Sequence, residues 1–255
     1  AGLTPVDVIG IPAEVVLTTA NANTFVDLEN LPGATKLFFS DRSDGTSTFT
    51  VPDGFRFPFI TAMLNRFTVG VNGFVALAPT SGSTLVTNVD LKATTGLPTV
   101  PLIAPFWDNL DLGMNGDVFW AVDGTAFPRR LVIQWNKLNV GGDAVSNLTF
   151  QVQLTEAGEI HFVYKTLSET NAAFAQGQSA TIGIFAGATI FAGQHSYNAA
   201  TLAENQDLTW FTNGASAGMT TIKVGAVGIT PGFFYKTAGG AYVYVSIPVR
   251  VFGAG

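Results

Sequence analysis

The chain has 255 residues, enough for one large β domain or two small ones, and its 12% charged residues stand against 12% aromatic, a balance that excludes disorder and asks for a sizeable core. The net charge of −6 excludes a nucleic-acid partner, which needs a basic surface, and a polybasic hold on a membrane. With no cysteine there is neither a disulfide framework nor a thiolate zinc site, and no apolar run is long enough for a membrane-spanning helix.

Residues 1–20 favour strand but are broken by Pro5, Gly10 and Pro12, a pattern that suits an edge, where one row of backbone groups needs no donor. Two readings stand: an edge strand of the same domain, or an extended arm that pairs with a neighbouring subunit. The chain opens AGLTPVDV, with no Met and no basic-plus-apolar leader, as either a processed secreted chain or a shortened one would. Lys36 to Ser40 predicts a short strand after an LPGA turn, and Asp44-Gly45 and Pro52-Asp53-Gly54 predict turns. Phe55, Phe57 and Phe59 alternate with Arg56 and Pro58, which places three rings on one core face. Phe67 to Leu77 reads as strand. Its Asn72-Gly73 is a hairpin or bulge signal, although the apolar pattern runs straight through it. Residues 78–100 form a polar, Thr-rich excursion, longer than a usual hairpin loop and a candidate for a surface loop with a function.

The densest strand region runs from Gly96 to Leu167. Val118, Trp120 and Val122 share one face of a strand, opposite Phe119 and Ala121. Leu131, Ile133 and Trp135 oppose Val132 and Gln134 in the next, and Phe150, Val152 and Leu154 oppose Gln151 and Gln153 in a third. A period near two over successive segments, with Gly, Asp and Pro between, predicts an antiparallel meander. Trp107, Trp120 and Trp135 are expected to fill a core between facing sheets, each indole N–H needing an acceptor. Residues 168–180 are a second polar connection. Strands are predicted at Thr181 to Ala186 and Leu208 to Thr212, while Ala199 to Asn205 offers one helical turn.

The last stretch, 213–255, is Gly-rich and ends in alternation. Val243, Val245, Ile247, Val249 and Val251 share one face, with Tyr242, Tyr244, Ser246, Arg250 and Phe252 on the other. Only Pro248 interrupts it, which again favours an edge or a bend.

Several segments in order carry a resemblance: NGF at Asn72 to Phe74, IAPFWDNL at Ile103 to Leu110, IQW at Ile133 to Trp135, and FQVQL at Phe150 to Leu154. GEIHFVY at Gly158 to Tyr164 and TIGI at Thr181 to Ile184 complete the set. Over about residues 52–212 the chain resembles the extracellular β-sandwich domain of secreted bacterial surface proteins and, distantly, the nidogen-like domain of animal matrix proteins. The resemblance implies a structural or adhesive module located outside the cell. The matching positions are core aromatics and turn residues, so it carries over a fold and a location but no reaction.

The best cluster for chemistry is the loop after Trp107, with Asp108, Asn109, Asp111, Asn115 and Asp117. Hard oxygen ligands at short spacing suit Ca²⁺, but Asp and Asn side chains capping turns explain the same residues, so no cofactor is expected and Ca²⁺ is the one candidate. His161 and His195 lack a third ligand at a motif spacing, and no Ser sits in a GxSxG elbow. Glu156 and Glu159 read as solvated hairpin ends rather than a glycosidase pair. Trp210, Tyr197, Phe174 and Tyr235 are candidate sugar platforms if exposed.

The fold expected is all-β, an antiparallel, jelly-roll-like β-sandwich over residues 21–212, with an N-terminal strand or arm at 1–20 and C-terminal strands at 213–255 that complete the same domain or pair with a neighbour. No enzyme is expected. The expected function is a self-assembling structural subunit of an extracellular appendage or matrix, its partners being copies of itself through strand pairing. The alternative is a monomeric adhesive or carbohydrate-binding module that meets other surface proteins or glycans, with a secreted hydrolase the weakest reading.

Overall fold

The structure, a computed structural model, describes residues 14–15, 25–59, 62–78, 85–187, 191–211, 232–236 and 242–246. It divides into two compact units, Ala1–Ser216 and Ala217–Gly255. In the first, the strands in chain order are β1 (Glu14–Val15), β2 (Thr35–Lys36), β3 (Thr46–Thr50), β4 (Phe57–Phe59), β5 (Ala62–Leu64), β6 (Arg66–Gly70), β7 (Phe74–Ala76) and β8 (Leu102–Trp107). They continue with β9 (Leu110–Asp111), β10 (Asp117–Asp123), β11 (Arg130–Val140), β12 (Asp143–Thr155), β13 (Glu159–Ser168), β14 (Thr181–Gly187), β15 (Phe191–Tyr197) and β16 (Asp207–Phe211). Among the described residues the regular elements are strands, apart from one 3-10 turn at Ala175–Gly177. The all-β expectation holds. The helical turn foreseen at Ala199 to Asn205 does not form, and the 3-10 turn arises in the preceding polar connection instead.

Eight strands make one antiparallel sheet in the order β1-β16-β13-β12-β11-β10-β2, with β9 also paired to β11. Six make a second, β15-β14-β8-β7-β6-β3, and β4 and β5 form a separate hairpin. The meander β10-β11-β12-β13 is the predicted one, and its alternation is physical. Leu131, Ile133, Trp135, Phe150, Val152, Leu154, Ile160, Phe162 and Tyr164 all enter one large apolar cluster. That cluster also takes Phe67, Val69, Val75, Ile103 and Phe106 from the six-stranded sheet, so the two sheets share one core. Polar atoms cross it: the Trp135 indole N–H donates to the Gly70 carbonyl at 2.9 Å, and the Tyr164 hydroxyl to the Pro105 carbonyl at 2.7 Å. Both groups would be costly to bury unpaired.

Asn72-Gly73 is a hairpin, not a point inside one strand: β6 pairs back on β7 through Thr68↔Ala76, Val69↔Val75 and Gly70↔Phe74. The apolar run through the turn reflects burial of the turn itself, since Asn72 is 2% exposed. Gly73 has φ +74, and a Cβ there would lie 1.8 Å from the Phe106 carbonyl oxygen, so only glycine fits.

Both sheets are also covered on the faces turned away from the shared core. Trp107 is not between the sheets; it belongs to a second cluster with Phe74, Ala76, Leu102, Ala104, Phe185, Leu85 and Leu91. Its indole N–H donates to the Leu85 carbonyl at 3.0 Å. The polar excursion, described from Leu85 onward, thus lies over the six-stranded sheet and is tied down by Leu91 N–H to Gln194 Oε1 and by Thr181 Oγ1 to the Val89 carbonyl. On the eight-stranded sheet a segment from Phe25 to Ala34 plays the same part, packing Leu28 on Ala121 and Val132.

Of the strand predicted from Lys36 to Ser40, only Lys36 falls in β2, where it pairs with Phe119 beside Thr35 on Trp120. At the N-terminus, Glu14 and Val15 pair with Trp210 and Thr209, an edge strand of their own unit. In the second unit, β17 (Gly232–Lys236) and β18 (Tyr242–Ser246) form an antiparallel hairpin from Gly232↔Ser246 to Lys236↔Tyr242. The predicted continuation through Phe252, like most of the 1–20 segment, lies outside the described residues.

Candidate functional site

The acidic loop is built from short-range capping. Asp108 is 5% exposed, accepts the Ser179 hydroxyl through Oδ2 and the Asn109 N–H at 2.8 Å through Oδ1. Burial pushes its carboxyl above the ordinary carboxylate value, and those two donors only partly oppose the rise. Asp111 accepts the Gly113 N–H at 2.7 Å, Asp117 pairs with Lys36 Nζ at 2.7 Å, and Asn109 and Asn115 are exposed. The loop's carbonyl oxygens are also in use. Arg42 donates from one guanidinium nitrogen toward Leu112, Gly113 and Gly116, at 3.3, 3.1 and 3.1 Å, and accepts the Leu112 N–H on its own carbonyl. The Arg42 guanidinium thus takes up three of the loop's backbone carbonyls. Among the described residues no three His, Asp or Glu side chains converge so as to hold a metal ion.

Beside this loop is an open groove of about 510 Å³, lined among others by Asp111, Met114, Asn115, Lys137, Asn139 and Val145. Met114 is 96% exposed and Val145 72%, two apolar side chains that line the groove together with the amides of Asn115, Asn139 and Asn147. Lys137 takes φ +59 at a bulge in β11 and reaches both Glu29 carboxylate oxygens at 2.7 Å, which holds that carboxyl below its usual range.

Glu29 belongs to the covering segment, whose main anchor is a row of buried glutamines absent from the sequence-based candidates. Gln151 uses its amide as a strand would: Oε1 accepts the Val26 N–H at 3.3 Å and Nε2 donates to the Val26 carbonyl. It also donates to Gln134 Oε1 at 2.8 Å, which accepts the Leu28 N–H at 2.9 Å. Gln153 Nε2 donates to Gln151 Oε1 at 2.9 Å. Alternation alone marks these side chains as facing away from the core. Their burial follows from a segment more than a hundred positions away in sequence, 125 for Val26 and Gln151.

Next in the same cross-strand rows lies His161, opposite Gln153 and Thr209. Its Nδ1 is 3.1 Å from Thr209 Oγ1 and 3.4 Å from Asp207, and Nε2 is 3.6 Å from Glu159. Burial lowers its pKa, but the hydrogen bond and charge of Asp207, then Glu159, outweigh this and leave it raised. Glu156 corrects the expectation of a solvated hairpin end: its side chain is 8% exposed and doubly bonded by Arg129, at 2.6 and 3.1 Å. Of the aromatic sugar candidates, Trp210 is 2% exposed and tilted against Phe162, and Phe174 packs on the core. Tyr197 is exposed on β15.

The fold and these sites define an all-β module whose polar groups hold distant segments together. The chain belongs to the NIDO-related family, whose model matches residues 17–222. This is a nidogen-like family of structural and adhesive rather than enzymatic modules, and it places the protein outside the cell or on its surface. No curated protein and no solved structure matches the chain. Among the described residues no helix is long and apolar enough to cross a membrane.

Proposed function

We propose that this chain is a structural subunit of an extracellular assembly, joined to copies of itself by strand addition. The observation that carries the reading is the second unit, where β17 and β18 pair only with each other among the described residues. A two-stranded sheet is marginal in water and gains stability from a third strand; its outer backbone groups are a template for one. β18 reads YVYVS, uncharged and suited to a pleated, half-buried surface. We take the body of the subunit to be a β-sandwich with a jelly-roll-like course, a reading supported by the shared core and by the Trp135–Gly70 and Tyr164–Pro105 hydrogen bonds.

The test is light scattering after size exclusion, with negative-stain imaging, of the full chain and of a chain lacking residues 241–255. Regular filaments or closed oligomers that vanish on deletion support the reading. A full chain that stays at 26.8 kDa at every concentration sinks it.

A second reading, a monomeric adhesive or glycan-binding module, is favoured by the groove lined by Met114, Val145 and the amides of Asn115, Asn139 and Asn147. A glycan array with the wild type and Asn139→Ala separates the two: saturable binding lost in the variant would favour adhesion.

A further inference from the structure

Among the described residues β1, β2, β15 and β3 end the two sheets of the first unit, with the two-residue β9 at a further edge beside β10, and all but β3 are blunted. Among the described residues β1 and β2 are two residues long, β2 with Lys36 on it, and the β14–β15 ladder is irregular at two points. β3 is different. Its five residues, Thr46–Thr50, carry no charge and no proline, and pair with β6 in unbroken register from Thr46↔Gly70 to Thr50↔Arg66.

The hydrogen-bond parity shows which groups face outward. Val51 N–H donates to the Asn65 carbonyl at 2.7 Å and Val71 N–H to the Gly45 carbonyl at 3.0 Å, one position beyond each end of the ladder. Antiparallel pairs alternate between bonded and non-bonded, so the odd positions 45, 47, 49 and 51 bond to β6. Thr46, Thr48 and Thr50 therefore direct both N–H and C=O away from the sheet. Consistent with this, the Thr48 and Thr68 hydroxyls meet at 2.8 Å, as side chains do across a non-bonded pair. Phe49 stacks on Trp120 at 4.5 Å, which holds the strand flat against the core.

We infer that β3 is the acceptor edge for the β18 strand of a second copy. This rests on the self-assembly reading and names its receiving surface. The two strands are each five residues long, both uncharged, and Pro248 bars the ladder just past β18. β18 is chosen over β17 because β17 ends in Lys236. The union extends the hairpin into the six-stranded sheet of the neighbour and leaves that neighbour's own β18 free for the next copy, a head-to-tail chain.

The full chain with Thr48→Pro tests this, since proline there removes an outward N–H and leaves every bond to β6 in place. Expected is loss of assembly, with a melting temperature within a few degrees of wild type. Cysteine pairing gives an independent measurement in a chain that has none of its own. Chains with Thr48→Cys are mixed under oxidation with chains carrying cysteine at Val243, Tyr244 or Val245. A disulfide between the two populations supports the inference. Wild-type assembly that persists in T48P, with no such disulfide, overturns the β3 assignment while strand donation stands. A disulfide between two T48C chains alone overturns it in favour of β3 pairing with itself. A wild-type chain that never assembles removes this inference together with the reading beneath it.

Discussion

The indole N–H of Trp135, midway along β11 in the eight-stranded sheet, donates across 2.9 Å to the carbonyl of Gly70 at the end of β6 in the six-stranded one. Phe150 stacks on the same indole at 5.1 Å and on Phe106, from the opposing sheet, at 5.4 Å. One ring thus joins a polar and an apolar link between sheets. Trp135→Phe keeps the stacking but leaves a buried acceptor alone and a small void. The expected loss is about 2–4 kcal/mol, from an orphaned group plus a cavity. Urea denaturation with an unchanged m value would check it.

Gln151 serves Val26 as a strand neighbour would, and Gln134 serves Leu28. In Gln151→Ala the Val26 N–H and C=O lose their partners, which costs about 1–3 kcal/mol for each group left buried. Hydrogen exchange at Val26 and Leu28 should then accelerate at least about tenfold, the equivalent of 1.4 kcal/mol, with the β12–β13 ladder still protected. Unchanged exchange at these two amides would show that Leu28 packing alone holds the segment.

His161 has a folded-state pKa above its ordinary 6.5, because Asp207 and Glu159 outweigh its burial. For a raised histidine the stabilisation is complete below about 6.5 and is lost as pH rises through the folded value. Glu156 runs the other way: the Arg129 hydrogen bonds lower its pKa below 4.5, so its contribution is present above that value and fades as pH falls through the folded one. The His161 contribution should therefore decline as pH rises above about 6.5, and the Glu156 contribution as pH falls below about 4.5. In His161→Gln the first of these declines should flatten, as melting temperatures across the range would show.

Arg42 occupies the Leu112, Gly113 and Gly116 carbonyls, while Ser179, Gly113 and Lys36 engage Asp108, Asp111 and Asp117. Millimolar calcium should accordingly shift the melting temperature by less than about a degree, the response of a site without free charged ligands. A rise of several degrees that Asp111→Asn removes would instead establish a calcium site in this loop.

The sequence by itself determined the strand content and the inward faces. Leu131, Ile133 and Trp135, like Phe150, Val152 and Leu154, repeat every second residue, and a pleated strand turns that period into a buried face whatever its partners are. It also carried the family, through core aromatics and turn residues that fold dictates locally. Only the tertiary structure decided what covers the other faces. The burial of Gln134, Gln151 and Gln153 is not legible in sequence, because alternation reports opposition between neighbours and nothing about a segment arriving from far along the chain. Trp107 was misplaced for the same reason: its partner Leu85 lies in a stretch whose polar composition hides its two buried leucines. The acidic loop was legible as a cluster of oxygens, but which donor meets them depends on Arg42, some seventy positions away. A residue's local pattern fixes its direction; long-range contacts fix what it finds there.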